Sequence, residues 1–316
     1  MVVNVNIILR YLLYNAEKKK ANNSAPPIKG TIRAEPQNRP LPGHLAERAD
    51  IWYASKSGVE LRANVVYPKD RAKQKLPVMI YVHGGALVIG DRNSDRVFCQ
   101  EFASRGFVVY SLEYRLIGQA DAFGMISDIC DGLKLVTDTL EEFGGAHGKT
   151  VLLGESAGAF ISMYAAAAGR SERLRHMLGC RDHGLRISHM VLISGMIYSA
   201  AFNPVGLIYK KELYGERRKD SDFMTAIDPD NPEMISLLPP IFLVSSKADF
   251  LRKQTLAYVE SLDRNHHSHK LLYFKAGKDL THAFPALLPS LPESRTVMDA
   301  IRNWINKTAP VNSNRF

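Results

Sequence analysis

The sequence predicts an α/β fold in which a mostly parallel, twisted sheet is flanked by helices and covered by a helical cap. Short apolar and β-branched runs alternate along the chain with helical stretches, which is typical of a parallel sheet. The predicted strands are 59–67, 78–82, 107–112, 150–153, 187–194, 241–245 and 271–274. The clearest helices are 121–143 and 294–307, and the apolar residues of the second recur on one face.

The composition agrees with one folded domain. The chain has 316 residues, and a hydrophobic content of 46% is enough to bury one large core without a second full domain. The formal net charge of +9 is concentrated in short stretches at 18–20, 170–186 and 217–219, and no nucleic-acid-binding motif accompanies them. We therefore expect a solvated basic surface and no nucleic-acid partner. Attraction of anionic substrates or of a membrane surface is the alternative.

A nucleophile elbow is predicted at Gly154-Glu155-Ser156-Ala157-Gly158, where a serine stands between two glycines in the pattern G-x-S-x-G. The strand-like run 149–153 precedes the motif and the proline-free run 157–168 follows it, so the order is strand, sharp turn and helix. The serine must occupy a strained turn that exposes its Oγ, and a Cβ at either glycine would collide with the neighbouring strand or helix. Ser156 is therefore the predicted nucleophile.

A second motif, His83-Gly84-Gly85-Ala86, follows the strand-like run 77–82. Backbone N–H groups fixed beside a reacting carbonyl stabilise the anion that forms on its oxygen, and glycines let such a loop approach the substrate closely. We expect donors from this loop and from Ala157, the residue after the nucleophile. His83 is expected to hold the loop by hydrogen bonding and not to act as the base.

A serine hydroxyl needs a base to take its proton and a carboxylate to orient that base. The acid candidate, Asp249, follows the strand-like run 239–246, and the base candidate, His282, follows the run 270–274. Both fall at the carboxyl edge of the predicted sheet, where open α/β sheets hold their sites. Asp279 is a rival for the acid role, but it lies in the same loop as His282.

Taken together, these motifs resemble the hormone-sensitive-lipase-like branch of the α/β-hydrolase fold, which includes many bacterial carboxylesterases. The resemblance extends to Glu113-Tyr114-Arg115-Leu116 and to Asp128 in the following helix, and it covers residues 50–306. It implies a triad of Ser156, Asp249 and His282. It also implies an oxyanion hole with candidate N–H donors at Gly84, Gly85, Ala86 and Ala157.

The sequence departs from the family's pattern in two places. Glu113 replaces an aspartate, with Ile117-Gly118-Gln119 in place of alanine, proline and glutamate, and Ala86 replaces a third glycine. These positions shape loops beside the site, so the departures concern the choice of substrate more than the chemistry.

We predict a hydrolase core at 49–195 and 239–316, an N-terminal cap segment at 1–48 and a cap insertion at 196–238. In the resembled family such segments cover the active site and set the size of the substrate. Some apolar side chains of the insertion would line the pocket or would only pack against it: Phe202, Leu207, Ile208, Tyr209 and Phe223.

The apolar run 7–14 precedes the lysines 18–20, which is the reverse of the order in a secretory signal, and it is too short to span a bilayer. We expect a cap helix there and no membrane contact, and an amphipathic helix on a membrane surface is the alternative. The three cysteines, Cys99, Cys130 and Cys180, have no paired spacing, which favours reduced thiols and a cytoplasmic protein.

The sequence thus predicts a serine hydrolase that cleaves short-chain or small carboxylic esters through an acyl-enzyme, with no cofactor and no metal. The preference for small esters rests on the family resemblance alone. An amidase or arylformamidase would use the same triad, and a noncatalytic ligand-binding relative is the alternative from another class. The resemblance also allows a homodimer, although no residue identifies its interface.

Overall fold

The computed structural model describes residues 34–71, 75–200, 210–277 and 279–308. Its centre is one 8-stranded sheet with the order β1-β2-β4-β3-β5-β6-β7-β8. The strands are β1 Leu45–Ala54, β2 Glu60–Pro68, β3 Leu76–Val82, β4 Val108–Leu112, β5 Gly145–Glu155, β6 His189–Ile193, β7 Ile241–Ser246 and β8 His269–Phe274. The β1–β2 and β2–β4 pairs are antiparallel, and the pairs that join β4, β3, β5, β6, β7 and β8 are parallel.

Helices cover both faces of this sheet. They are α1 Arg96–Ser104, α2 Ala122–Thr139, α3 Ala157–Ala168, α4 Glu172–Leu178, α5 Ser221–Ala226, α6 Pro232–Ser236, α7 Arg252–Arg264, α8 Phe284–Leu287 and α9 Pro292–Lys307. Residues 210–214 are also helical and lead into a 3-10 turn at Gly215–Lys219.

Two hydrophobic cores lie on opposite faces of the sheet. Along β3, Val78, Ile80 and Val82 pack with α2 and α3, whereas Met79 and Tyr81 pack with α1 and α9. Side chains alternate between the two faces of a strand, so a strand buried on both faces is apolar throughout. This is the physical reason why the apolar runs of the sequence predicted the parallel strands, and the predicted α/β fold is confirmed.

The sequence pattern does not predict β1. This edge strand begins at Leu45, within the predicted N-terminal segment, and its pairing register with β2 shifts between Arg48 and Ile51. Asp50 at this bulge has a φ of 57°, and most of the strand is only partly buried. The bulge interrupts the alternation of apolar and polar residues that would have marked a strand.

The apolar run 7–14 lies outside the described residues, as do four of the predicted cap side chains, Phe202, Leu207, Ile208 and Tyr209. The fifth, Phe223, is buried in α5 and contacts the rings of Phe123 and Tyr214. Within the described ranges, no helix combines the length and apolar character that crossing a bilayer requires.

Candidate active site

Ser156 occupies the sharp turn between β5 and α3, with φ 49° and ψ −116°. This backbone conformation is strained for a residue that has a Cβ, and the close packing around the turn maintains the strain. A Cβ on Gly154 would stand 2.5 Å from Ala159 Cα, and one on Gly158 would stand 2.2 Å from the carbonyl oxygen of Val82. Only glycine fits at these two positions, as the elbow pattern predicted.

The structure brings Ser156, His282 and Asp249 together in one hydrogen-bonded chain. Ser156 Oγ lies 2.8 Å from His282 Nε2, and His282 Nδ1 lies 2.8 Å from Asp249 Oδ1. Asp279 is exposed, and the carboxylate that contacts His282 is that of Asp249. A hydroxyl, an imidazole and a carboxylate in this order can pass a proton from the hydroxyl to the imidazole.

Asp249 is fully buried and is surrounded by hydrogen-bond donors. Besides His282, it accepts from the hydroxyl of Ser245 at 2.8 Å and from the N–H of Leu251 at 2.9 Å. Burial raises the pKa of the Asp249 carboxyl, but the hydrogen bond and charge of His282, with these two donors, outweigh that effect and hold the pKa below its usual value. The carboxylate therefore stays ionised beside the imidazole.

The loop that carries His282 is attached to the two neighbouring strand ends. The N–H of Ala283 donates to Ser194 Oγ at 3.0 Å, and the hydroxyl of Ser246 donates to the carbonyl of Leu280. Ser194 has a φ of 50°, and it follows β6, which pairs with the strand of the nucleophile. Two serines at the ends of β6 and β7 thus position the imidazole.

The loop His83-Gly84-Gly85-Ala86 leaves the end of β3, next to the elbow. Ala86 and Leu87 have φ values of 56° and 62°, which is strained backbone for residues with a Cβ. The hydroxyl of Tyr114 donates to the carbonyls of His83 at 3.0 Å and Gly84 at 3.2 Å. The loop is therefore held at its first two residues by a side chain from the segment after β4.

The His83 side chain packs inside this loop and stabilises it. Its ring stacks on Tyr114 with 4.3 Å between centroids, and its Nδ1 donates to the carbonyl of Gly84 at 2.9 Å. Burial lowers the pKa of His83 to about 4, so the imidazole is neutral near pH 7. These contacts agree with the structural role expected for His83.

Glu155 is a residue of this site for which the sequence pattern assigned no role. It is buried, and a Cβ on Gly84 would stand 2.1 Å from its Oε2. Burial and the charge of Asp95 raise the pKa of Glu155 well above its usual value, and a hydrogen bond from the backbone N–H of Gly84 opposes this shift. The carboxyl of Glu155 therefore lies directly against the backbone of Gly84. The sequence did contain one indication of this role. Glu155 stands between a predicted buried strand and a predicted buried helix, and a buried carboxyl group requires a hydrogen-bond partner.

An ion pair holds the segment that carries Tyr114. Arg115 Nε and Nη2 donate to the two carboxylate oxygens of Asp128, both at 2.8 Å, and the Asp128 side chain is completely buried. The N–H of Ile117 donates to the carbonyl of Leu87 at 2.8 Å, which joins this segment to the residue that follows the loop His83-Gly84-Gly85-Ala86. The departures at Glu113 and at 117–119 therefore lie in a segment that contacts the site.

In the part of the chain that the structure describes, no group of three or more potential metal ligands is present.

Comparison with known proteins agrees with this geometry. The BD-FAE family profile matches residues 64–251, more than half of the chain, a segment that includes Ser156 and Asp249 and ends before His282. An isoprenylcysteine alpha-carbonyl methylesterase of Arabidopsis thaliana is 28% identical over 66% of this chain and 53% of its own. A probable methylesterase of the same description from Oryza sativa is 27% identical over 65% of this chain and 50% of its own. The chain thus spans about half the length of the curated relatives it matches.

The fold is also that of solved esterases. A crystal structure of esterase B from Lactobacillus Rhamnosis superposes with a TM-score of 0.79, covering 96% of this chain and 95% of the other at 22% identity. At this identity the likeness concerns the fold alone. The profile match, the strand order and the fold likeness agree, and we conclude that the chain belongs to the BD-FAE family, in the esterase branch of the α/β-hydrolase fold.

Proposed function

We propose that the protein is a serine hydrolase that cleaves carboxylic esters through an acyl-enzyme. The observation that carries this proposal is the continuous chain from Ser156 Oγ through His282 to Asp249, with both hydrogen bonds at 2.8 Å. The complete chain argues against a noncatalytic relative, and no observation favours an amidase over an esterase.

In the first half of the reaction, Ser156 Oγ attacks the carbonyl carbon of the ester while His282 takes the hydroxyl proton. The buried carboxylate of Asp249 stabilises the imidazolium and keeps Nε2 directed at the serine. When the tetrahedral intermediate collapses, His282 returns the proton to the departing alcohol oxygen. In the second half, His282 activates a water molecule that hydrolyses the acyl-enzyme and regenerates Ser156.

The negative charge on the carbonyl oxygen needs fixed donors. We propose that these are the backbone N–H groups of Gly85, Ala86 and Ala157. Gly84 lies against the buried carboxyl of Glu155, and we propose that this contact positions the loop. Ala157 is the first residue of α3, where the positive end of the helix dipole adds to its N–H. The oxyanion loop and α3 meet at Gly158, so both sets of donors are fixed relative to the nucleophile.

The proposed substrates are small-molecule carboxylic esters, and the esterase names of the curated relatives support this class of substrate. We place the protein in the cytoplasm, since Cys99, Cys130 and Cys180 are buried free thiols that suit a reducing compartment. The homodimer stays a prediction that light scattering of the purified protein would test.

Replacement of the nucleophile tests the function. Ser156→Ala is expected to lower the hydrolysis of a short p-nitrophenyl ester by about 10⁴-fold or more and to abolish labelling by a fluorophosphonate. The matched control is Ser162→Ala, which removes a buried hydroxyl further along α3 and should leave both readouts near the wild-type level. Wild-type hydrolysis by Ser156→Ala would overturn the proposal. Faster turnover of the matching p-nitroanilide by the wild type would favour an amidase.

A further inference from the structure

Phe250 is the most exposed large apolar side chain among the described residues. It is 71% exposed, although its neighbours Asp249 and Leu251 are both buried. The Leu251 N–H donates to the Asp249 carboxylate and the Arg252 N–H donates to the Asp249 carbonyl, so the turn that holds the triad acid directs the intervening ring outward. Exposure of a large apolar ring to water costs free energy. Single exposed apolar residues are nevertheless common on protein surfaces, so the exposure of Phe250 indicates a function only if the ring adjoins a site.

This ring adjoins the site, because it lies tilted against the imidazole of the triad base. The centroids of the Phe250 and His282 rings lie 4.1 Å apart, with an angle of 33° between the ring planes. One part of Phe250 therefore covers the imidazole and the rest faces solvent at the rim of the site. A substrate group that lies beside His282 would bury this exposed surface.

The reaction determines which part of the substrate lies beside His282 and Phe250. His282 must give its proton to the alcohol oxygen as the ester bond breaks, so the alcohol portion has to lie within hydrogen-bond reach of Nε2. The oxyanion loop follows β3, on one side of β5, whereas His282 and Phe250 follow β8 and β7, on the other side. The carbonyl oxygen therefore points toward β3 and the alcohol portion toward β7 and β8.

We propose that Phe250 forms the wall of the alcohol subsite and that the enzyme prefers esters of apolar alcohols longer than methanol or ethanol. This inference rests on the proposed esterase function and specifies the substrate class of the same site. The exposed face of the ring gains contact with an alkyl or benzyl alcohol, and it gains almost none with a methyl group.

Two series of esters test the proposal. In the first, the acyl group is acetyl and the alcohol lengthens from ethyl through butyl to hexyl, with benzyl as the aromatic member. In the second, the alcohol is ethyl and the acyl group lengthens over the same range. Hydrolysis is followed by pH-stat titration, so that no activated leaving group is needed. The variants are Phe250→Ala, Phe250→Leu and, as the control, Trp52→Ala, which removes another exposed ring on the edge strand β1.

For the wild type, kcat/KM is expected to rise with the length of the alcohol. Phe250→Ala should lower kcat/KM about tenfold more for hexyl and benzyl acetate than for ethyl acetate, because only the longer alcohols contact the exposed face of the ring. Phe250→Leu should retain part of the gradient, and Trp52→Ala should retain all of it. In the acyl series, Phe250→Ala should change all members by the same factor.

Two other results would overturn the role of Phe250 without affecting the proposed esterase function. An equal loss for every alcohol would show that Phe250 only positions His282, and an unchanged gradient would show that the ring is merely exposed surface; either result overturns the inference. Fluorophosphonate labelling and ester turnover by the wild type would still support the proposed function. If the wild type hydrolyses no ester, the proposed function fails with it. Circular dichroism melting curves establish that the variants are folded.

Discussion

The contact between the elbow and the oxyanion loop allows a sharp test at Gly158. A Cβ at this position would stand 2.2 Å from the carbonyl oxygen of Val82 and 2.6 Å from that of His83. Ordinary contacts require about 3.5 Å, so Gly158→Ala must separate α3 from the end of β3 by about 1 Å. Both neighbours are backbone oxygens, one at the last residue of β3 and one at the first residue of the loop that follows, so they cannot move aside as the end of a flexible side chain could.

This separation would displace the proposed donors of Gly85 and Ala86 from the nucleophile and from Ala157. A misplacement of about 1 Å in a catalytic site can cost about 100-fold in rate, and overpacking of a core costs about 1–3 kcal/mol. We therefore expect Gly158→Ala to remain folded, to lose about 1–3 kcal/mol of unfolding free energy and to lose about 100-fold in kcat/KM.

The assay measures p-nitrophenyl acetate turnover together with urea denaturation. Gly148→Ala is the matched control, because Gly148 lies in β5, the strand that leads into the elbow, and a Cβ there would meet nothing within 4 Å. This control should retain wild-type kcat/KM within about twofold. If Gly158→Ala retains kcat/KM within about threefold of the wild type, the close contact at Gly158 does not position the proposed oxyanion donors.

Three further outcomes are expected from buried titratable groups. Asp249→Asn should lower kcat about 10⁴-fold. Because the pKa of Asp249 is lowered in the folded protein, the stability that this carboxylate contributes is present above pH 3.8 and is lost as the pH falls through the lowered pKa. Urea denaturation across the acid range would show wild type and variant converging at low pH. Glu155→Gln should keep most activity, since an amide oxygen can still accept from Gly84, whereas Glu155→Ala should lose about tenfold in kcat/KM; equal losses would contradict this role. Burial lowers the pKa of His189 from 6.5 to about 4, so the unfolded state binds more protons in this interval and the wild type loses stability as the pH falls through it. His189→Gln should flatten this dependence, and an unchanged slope would assign it to another group.

The apolar strands and the nucleophile elbow could be predicted because their physical causes are local. A strand covered on both faces needs an unbroken apolar run, and the conformation of Ser156 needs glycines at fixed offsets on either side. The strand β1 was not predicted for the same reason. A bulge and an exposed edge remove the alternation of apolar and polar residues by which a strand is recognised in a sequence.

The partners of the catalytic residues depend on contacts between distant parts of the chain. Asp279 stands three residues from His282 in the sequence, yet the contact is made by Asp249, because β7 and β8 pair in parallel with Ser246 opposite Phe274 and so bring their following loops together. Glu155 gained its role in the same way, from the adjacent end of β3. The order of motifs along the chain was enough to predict the reaction. The register of the sheet was needed to show which donors hold each group and which ring stands beside the base, since strand pairing joins residues that no local pattern connects.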